Sequence, residues 1–286
     1  MSNVSIGTTI IDALTLCYVA EGEVFDVLRE IDYRAEFDEF LLYRTMGRTH
    51  HQHFDVMLKE KKVACIYFDR YGAATDEHYI WIRIENYVLY DMELLVEVLL
   101  LLQLFDLSFN NITHIDLAKD FTYNISERIR TLMRNPNLKT IVNGKHIKDR
   151  DDTLKGITRT CRMSLNRDKT KSLTIKQAKA IKNKYDGITL DSYDKIDEIT
   201  NKSEKQYILD YYGNPKRLHR LELRLNNQDI RKISDVIGIG ITEDVVFDTD
   251  RLDALYIQAL QSMLRFTDGR KKRDWQMLFD CNLRYK

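Results

Sequence analysis

The amino-acid sequence predicts an α+β fold in which two α+β halves share or face mostly antiparallel sheets, with helices packed on the other face. Segments rich in β-branched and aromatic residues recur along the chain and predict strands, and segments with apolar residues at helical spacing lie between them. The 286 residues include only 2 prolines and 11 glycines, and no linker rich in Ser, Gly or Pro separates the halves. The element pattern therefore sets the boundary, with an N-terminal half over 1–138 and a C-terminal half over 139–286.

The N-terminal half begins with strand patterns and then adds helices. Its predicted strands cover 8–19, 62–72, 78–90 and 112–121. Its predicted helices cover 21–31, 92–107 and 126–135, the last with Ser126 as N-cap. The apolar run from Leu94 to Phe105 contains Glu97 and Gln103 and is shorter than the roughly 20 residues that cross a bilayer. We therefore expect a buried core helix there and no membrane partner.

The C-terminal half repeats the mixture of strands and helices and carries a basic segment. Its predicted strands are SLTIKQ (172–177), GITLDSYDK (187–195) and RLHRLELRL (217–225), and its predicted helices lie near 227–236 and 250–266. Because both halves mix the two element types without a visible sequence repeat, two α+β halves sharing a sheet are the most economical architecture.

The cysteines and the N-terminus indicate a cytoplasmic protein. The four cysteines are far apart and form no CxxC pair, which argues against a zinc ribbon and against a disulfide framework: Cys17, Cys65, Cys161 and Cys281. The first residues are polar, lack a basic n-region and show no small-residue cleavage pattern, so a secretory signal is not expected.

Charge is balanced over the whole chain but not along it. The formal net charge is zero, whereas the segment from Lys139 to Lys184 holds 14 Lys or Arg and 4 Asp. Such a basic segment can bind a polyanion, because neutralising phosphates releases counterions. The residues of this segment that we expect to contact such a polyanion are Arg159, Arg162, Arg167, Lys169 and Lys171. A solvated loop and helix face is the structural alternative.

The stretch ITHIDLAKDF (112–121) places charged groups on one face of a predicted strand. Successive side chains of a strand point to opposite faces, so His114, Asp116 and Asp120 share one face. Two ionised carboxylates held close together repel each other unless a cation is supplied. The pattern therefore indicates a metal site.

Two later strands add functional groups in the same way. Alternation groups Asp191 with Tyr193 and Lys195 on one strand, and groups Arg220, Glu222 and Arg224 on the next. If all three strands lie in one sheet with their apolar faces inward, the polar faces converge. The hard oxygen ligands that Mg²⁺ or Mn²⁺ prefers would then come from Asp116, Asp120 and Glu222. A solvated or ion-paired row on the sheet is the structural alternative.

Three stretches together resemble the replication initiation factor family, the trans-acting Rep proteins of rolling-circle plasmids and phages, with filamentous-phage gene II protein as a looser relative. The stretches are NNITHIDLAKDF, LDSYDKIDEI and HRLELRLNNQDI, and the resemblance covers about residues 110 to 230. The matching positions are Thr113, Asp116, Ala118 and Asp120, then Tyr193, Asp194, Lys195 and Glu198, then Arg220, Glu222 and Leu225. His114 stands where the family usually has arginine, which puts a phosphate contact at that position in doubt.

The resemblance implies a metal-dependent nickase and strand transferase that initiates rolling-circle replication at an origin. Carried over to this chain, it makes Tyr193 the nucleophile and Asp116 and Glu222 the leading ligands of Mg²⁺ or Mn²⁺. The resemblance also makes Asp120 a further ligand and gives Lys195 the role of assisting the tyrosine. Glu198 belongs to the matching block without an assigned role. Attack on a phosphodiester would form a 5′-phosphotyrosine and free a 3′ hydroxyl. No nucleotide-binding GxxxxGK[ST] loop is present, and a covalent intermediate needs none.

The implied partner is single-stranded or cruciform origin DNA, contacted also by Arg220 and Arg224. A host helicase and a second copy of the chain are left open as further partners. The alternative function is a non-catalytic initiator that binds an origin and recruits replication machinery. A structural protein with coincidental motifs is a third interpretation.

Two other groups of residues compete for these roles. THHQHF contains His51 and His53, which would share a strand face and could hold a metal, although an exposed polar turn is the preferred interpretation. The rival nucleophiles are Tyr185, Tyr207, Tyr211 and Tyr212, and aromatic residues near the basic segment could instead stack on unpaired bases.

Overall fold

A computed structural model describes residues 7–20, 22–48, 50–70, 78–147, 157–158, 161–165, 172–177, 187–269, 271–272, 275 and 279. The chain forms two compact units. The amino-terminal unit comprises 11–115 with 241–243, and the carboxy-terminal unit comprises 1–10, 116–240 and 244–286. The division along the chain falls between Ile115 and Asp116, whereas the sequence places it between residues 138 and 139.

The α+β class is confirmed by the strands and helices of the described residues. The strands are β1 (Thr9–Val19), β2 (Arg34–Phe37), β3 (Phe40–Arg44), β4 (His50–Leu58), β5 (Lys61–Arg70), β6 (Tyr79–Ile84), β7 (Ser108–Phe121), β8 (Lys139–Val142), β9 (Lys145–Ile147), β10 (Ile157–Thr158), β11 (Cys161–Leu165), β12 (Leu173–Gln177), β13 (Thr189–Asp194), β14 (His219–Asn226), β15 (Leu264–Asp268) and β16 (Lys271–Lys272). The α-helices are α1 (Gly22–Arg29), α2 (Met92–Gln103), α3 (Ile125–Arg134), α4 (Lys195–Glu198), α5 (Gln206–Tyr211), α6 (Asn227–Ile237) and α7 (Thr249–Met263). Short 3₁₀ turns cover Asn86–Tyr90 and Glu243–Phe247, and a π-helical turn covers Ile199–Ser203.

The amino-terminal unit is built on antiparallel strands in the order β1, β6, β5, β4, β3, β2. Alternation gives these strands one buried apolar face, to which Leu16, Ile66 and Ile82 contribute. Helix α1 buries Phe25, whose ring packs edge-on against Phe68 at 5.3 Å between centroids. The strand and helix patterns of this half therefore form a core of the kind that the sequence predicts.

The histidine-rich stretch is part of a strand, so the predicted exposed polar turn is wrong. His50, His51 and His53 lie in β4, and His50 is buried. The ring of His53 lies nearly parallel to that of Tyr67, and its Nδ1 is 2.6 Å from the Thr45 hydroxyl. Burial lowers the pKa of His53.

The carboxy-terminal unit has a second set of strands in the order β10, β11, β12, β13, β14, followed by the part of β7 that begins at Asp116. The pairs from β10 to β14 are antiparallel. Helices α3 and α7 pack on this sheet, and the Tyr256 hydroxyl of α7 donates to the backbone carbonyl of Leu221 at 3.0 Å. A small sheet has the order β16, β15, β8, β9. Its strand β15 begins at Leu264, so the predicted helix over 250–266 ends earlier, at Met263.

Helix α3 begins one residue before the predicted start and has a different cap. Asn124, not Ser126, is the N-cap, and its side chain accepts a hydrogen bond from the Glu127 backbone N–H at 3.0 Å. Ser126 lies inside the first turn, fully buried, with its hydroxyl 2.6 Å from that of Ser192 on β13. The serine therefore joins the helix to the sheet instead of capping the helix.

Replacing Asn124 by alanine is expected to lower the free energy of unfolding by about 1 kcal/mol, because a helix N–H loses its acceptor. Urea denaturation followed by circular dichroism measures the change. Asn124→Ser is the matched control, since serine also caps well and should stay within a few tenths of a kcal/mol of the parent. Equal destabilisation by both substitutions would show that the cap does not stabilise α3.

None of the helices in the described ranges combines the length and apolar character needed to cross a membrane. Helix α2, which the sequence predicts as a core helix, buries Leu95, Val98 and Leu101 and exposes about half of Leu100.

Candidate active site

The polar faces of β13 and β14 lie side by side, as the alternation predicts. In the antiparallel register, Tyr193 pairs with Arg220 and Asp191 pairs with Glu222. Residues directly opposite each other on antiparallel strands share a face. The other face carries Leu190, Ser192, Leu221 and Leu223, all of which are buried. The apolar face thus anchors both strands, and the polar face presents the functional groups.

Tyr193 and Glu222 are in direct contact. The tyrosine hydroxyl donates to Glu222 Oε2 at 2.6 Å, a short hydrogen bond of the kind made to ionised acceptors. The tyrosine is partly exposed, whereas Glu222 is only 3 % exposed. A carboxylate in this position can accept the phenolic proton when the oxygen attacks an electrophile.

Arg224 joins three carboxylates from three strands. Its Nε lies 2.9 Å from Glu222 Oε1 and 3.9 Å from Asp116 Oδ2, and its Nη2 lies 3.3 Å from Asp191 Oδ2. Asp191 also accepts a hydrogen bond from the Thr174 hydroxyl of β12 at 2.5 Å. These contacts bring Asp116 of β7 to the same place as Glu222 and Tyr193, as the sequence predicts.

The charge of Arg224 is stabilised by this arrangement. Burial by itself lowers the pKa of the guanidinium, but the charge and the hydrogen bond of Glu222 outweigh it, with smaller contributions from Asp191 and Asp116, and the pKa is raised. The three carboxylates carry more negative charge than one guanidinium neutralises. Arg224 is therefore the shared ion-pair partner of the three acids.

Asp120 and Arg220 form a separate ion pair inside the unit. Arg220 donates from Nε to Asp120 Oδ1 at 2.8 Å and from Nη2 to Oδ2 at 2.6 Å, and both side chains are completely buried. Asp120 and Arg220 therefore form a structural pair in this arrangement, and their expected roles as a metal ligand and as a DNA contact stay predictions. Strand alternation indicates the face on which a residue lies, but not how deeply that face is covered.

Tyr212 is also part of this buried group. Burial raises its pKa, and a hydrogen bond with Asp120 raises it further. The Tyr212 phenol is therefore held beside the buried pair of Asp120 and Arg220.

Lys195 and Glu198 support the tyrosine from the start of α4. Asp194 is the N-cap of that helix and accepts from the Asp197 backbone N–H at 3.1 Å. Lys195 is 1 % exposed, and its Nζ lies 2.9 Å from Glu198 Oε2 and 5.5 Å from the centre of the Tyr193 ring. The stretch YDKIDE is thus a strand end followed by a capped helix, with an ion pair that holds a positive charge against the tyrosine ring.

The remaining predicted site residues are His114 and five basic residues of the segment from Lys139 to Lys184. His114 is on β7, in the amino-terminal unit. Arg159, Arg167, Lys169 and Lys171 lie outside the described residues, and for Arg162 only the backbone, in β11, is described. Their expected contacts with DNA stay predictions.

Two members of this group are not predicted in the roles that their contacts give them. Asp191 is two residues before Tyr193 and therefore on the same face, but it is not among the predicted ligands. Arg224 is predicted to contact DNA, whereas its guanidinium lies among carboxylates. The signal for both was the alternation itself, because it places one arginine and three acids on adjoining strands.

The donor chemistry of Asp116, Asp191 and Glu222 suits a hard divalent cation, since all three offer carboxylate oxygens. Their arrangement does not form a ready cation site. Across the described ranges, no group of three or more His, Cys, Asp or Glu side chains is placed so that it could hold a metal ion. The position between the carboxylates is filled by the Arg224 guanidinium. The same finding gives no support to a metal at the His51 and His53 cluster.

Comparison with models of known families finds no match, and comparison with curated proteins finds none either.

Proposed function

We propose that this protein initiates rolling-circle DNA replication by nicking and rejoining single-stranded origin DNA through Tyr193. The observation that carries the proposal is the 2.6 Å hydrogen bond from the Tyr193 hydroxyl to Glu222, beside a guanidinium and two further carboxylates. A nucleophile, a base that contacts it and a cation that can face a phosphate are the parts that phosphoryl transfer needs. The resemblance of three stretches to replication initiation factors supports the same reaction.

In the proposed reaction, the Tyr193 oxygen attacks the phosphorus of a phosphodiester while its proton passes to Glu222. The bond from phosphorus to the 3′ oxygen breaks, and that oxygen leaves as a 3′ hydroxyl after taking a proton from solvent. The product is a 5′-phosphotyrosine that conserves the energy of the broken bond. Attack by a 3′ hydroxyl in the reverse direction reseals a strand and returns the proton to Tyr193.

The substrate class is single-stranded or extruded cruciform DNA. Mg²⁺ or Mn²⁺, a host helicase and a second copy of the chain belong to the proposal as partners. The cytoplasm is the proposed location. Binding of an origin without cleavage is the competing function, and it leaves the contact between Tyr193 and Glu222 without a chemical role.

Incubation with single-stranded oligonucleotides and Mn²⁺ tests the proposed function. We expect a covalent protein–DNA adduct that survives denaturing electrophoresis, and mass spectrometry should locate the nucleotide on Tyr193. The substrate is a library of stem-loop sequences, because the amino-acid sequence does not specify which DNA sequence serves as the origin. Binding without any adduct would support the non-catalytic initiator instead.

Replacing Glu222 by glutamine is expected to slow adduct formation by about 10² to 10⁴-fold, the usual contribution of a general base. An amide keeps the shape of the side chain but cannot accept the phenolic proton as a carboxylate does. The rate is measured by quenched time courses at saturating oligonucleotide. Glu93→Gln, an exposed site on α2 in the other unit, is the control and should keep the parental rate. Equal rates in the two variants would remove Glu222 from the proposed chemistry.

A further inference from the structure

A row of aromatic rings crosses three strands of the amino-terminal unit. Trp81 of β6 lies opposite Tyr67 of β5, and Tyr67 lies opposite His53 of β4 in the antiparallel registers. The planes of Tyr67 and Trp81 are 10° apart, those of His53 and Tyr67 are 13° apart, and the ring centroids of both pairs are separated by 6.1 Å. The ring of Tyr79 lies 6.1 Å from that of Trp81. We call His53, Tyr67, Trp81 and Tyr79 the aromatic row.

The aromatic row lies on the face of the sheet opposite the core. Phe54, Ile66 and Ile82 each adjoin a member of the row in sequence, and all three are buried on the other face. The members of the row are partly exposed, and Tyr79 is 36 % exposed. Flat aromatic surface is therefore left accessible to a ligand.

Hydrogen bonds fix the orientation of two of the rings. The Thr45 hydroxyl lies 2.6 Å from His53 Nδ1, and the Tyr67 hydroxyl forms a hydrogen bond with Thr15 of β1. Rings that are already held parallel lose little conformational entropy when a ligand stacks on them.

The acidic side chains beside the row are paired with cations. Lys62 Nζ lies 2.8 Å from Asp55 Oδ1 and 3.5 Å from Glu85 Oε1. Arg29 Nη2 lies 2.9 Å from Asp69 Oδ1. These ion pairs reduce the repulsion that the carboxylates would exert on an anion close to the rings.

Arg83 supplies a positive charge beside the rings. It lies two residues after Trp81 in β6, on the same face, and it is exposed. Its Nη2 donates to Cys65 Sγ at 3.3 Å, and a thiol sulfur is a weak acceptor. The guanidinium can therefore exchange this contact for a stronger anionic partner such as a phosphate.

Parallel rings beside an exposed cation suit an unpaired nucleic-acid strand. Every base has a flat face that stacks on aromatic side chains, and sheets that carry such side chains bind single strands in this way. Each stacked nucleotide also brings a phosphate that Arg83 can contact. A neutral glycan can stack on aromatic rings too, but it offers the guanidinium no anionic partner. Charge complementarity thus favours the nucleic acid.

We propose that the aromatic row is a binding surface for single-stranded nucleic acid, on which unpaired bases stack while Arg83 pairs with a phosphate of the backbone. The surface consists of residues of the amino-terminal unit, whereas Tyr193 belongs to the carboxy-terminal unit. Stacking needs no cleavage, so this inference goes beyond the proposed function and does not rest on it.

Tryptophan fluorescence of the complete protein, in EDTA to prevent metal-dependent cleavage, tests the stacking. The chain has two tryptophans, and Trp275 is only 1 % exposed, so quenching by an added strand reports on Trp81. We expect an oligothymidylate of about 12 nucleotides, within the usual site sizes, to quench the parent. Trp81→Phe should lose the quenching. A parent that is not quenched, or quenching that persists in Trp81→Phe, would overturn the inference.

Removing the ring at position 81 is expected to weaken binding. Trp81→Leu should raise the Kd for the oligothymidylate by about 5- to 150-fold, the loss of one stacked base, as measured by fluorescence anisotropy. Phe247→Leu is the control, because Phe247 is 42 % exposed and lies in the other unit, and it should keep the parental Kd. Equal Kd values for the two variants would overturn the inference. Thermal melting of each variant confirms that it is folded.

The salt dependence of the same Kd tests the phosphate contact. Arg83→Gln should lower the slope of log Kd against log salt concentration by about 0.7, the value for one phosphate contact on a single strand. Arg34→Gln, an exposed arginine of β2 in the same unit, is the matched control and should keep the parental slope. An unchanged slope in Arg83→Gln would overturn the role given to Arg83.

Two further measurements separate this inference from its alternatives. Cellohexaose, a neutral glycan, should leave Trp81 fluorescence unchanged, and quenching by the glycan but not by the oligothymidylate would overturn the inference. Quenching of Trp81 without any covalent adduct would support the aromatic row and contradict the proposed function. An adduct at Tyr193 without quenching of Trp81 would do the reverse.

Discussion

Replacing Tyr193 by phenylalanine is expected to abolish the covalent protein–DNA adduct and to leave DNA binding intact. The substitution removes one oxygen, and that oxygen is both the proposed nucleophile and the donor to Glu222. Loss of a nucleophile from a catalytic group costs on the order of 10⁶-fold in rate, which places any residual reaction below detection. Denaturing electrophoresis of labelled oligonucleotide measures the adduct, and fluorescence anisotropy measures binding.

The rival tyrosines supply the controls for this experiment. Tyr211→Phe is a matched variant, because Tyr211 is a partly buried tyrosine of the same unit whose pKa is raised by burial. It should form the adduct at the parental rate. An adduct that persists in Tyr193→Phe and disappears in Tyr211→Phe would move the nucleophile to α5. Loss of binding together with the adduct in Tyr193→Phe would make Tyr193 a contact residue instead of a nucleophile.

Replacing Asp120 by asparagine is expected to lower the free energy of unfolding by about 3 to 5 kcal/mol, the cost of leaving one member of a buried ion pair without its partner. Arg220 would remain fully buried with its charge uncompensated, since both of its hydrogen bonds to Asp120 use carboxylate oxygens. Urea denaturation followed by tryptophan fluorescence and circular dichroism measures the loss.

A surface pair and a double variant distinguish this cost from a general effect of charge. Asp244→Asn removes a partner from Arg251, and because Asp244 is 62 % exposed the change should be below about 1 kcal/mol. Replacing Asp120 by leucine together with Arg220 by methionine should recover much of the stability, since an apolar pair can substitute for a buried salt bridge. Destabilisation of Asp120→Asn no larger than that of Asp244→Asn would show that the pair does not stabilise the unit.

Strand periodicity made the centre of the site predictable. The two-residue repeat groups Asp191 with Tyr193 and Glu222 with Arg224, and antiparallel pairing then sets the two groups side by side. The buried leucines fix which face points inward, so a one-residue error of register would have reversed every assignment. This is why short stretches of sequence were sufficient to bring acids and a tyrosine together.

Other features depend on contacts between residues far apart in the sequence, which strand periodicity does not predict. Asp120 and Arg220 are 100 residues apart, and only the sheet order shows that they meet in the interior. Serine is a good N-cap, which favours Ser126 as the cap of α3, but a buried partner on β13 competes for its hydroxyl. The histidine-rich stretch is expected to form an exposed polar turn, whereas pairing with β5 makes it a strand.

The hydrogen bond between Ser126 and Ser192 links the back of the sheet to its reactive side. Ser192 precedes Tyr193 in β13 and points the opposite way, so a shift of α3 transmitted through this bond would rotate the backbone that carries the phenol. The orientation of the Tyr193 side chain, and with it the proposed reaction, therefore depends on how a helix is seated on the opposite face of the sheet.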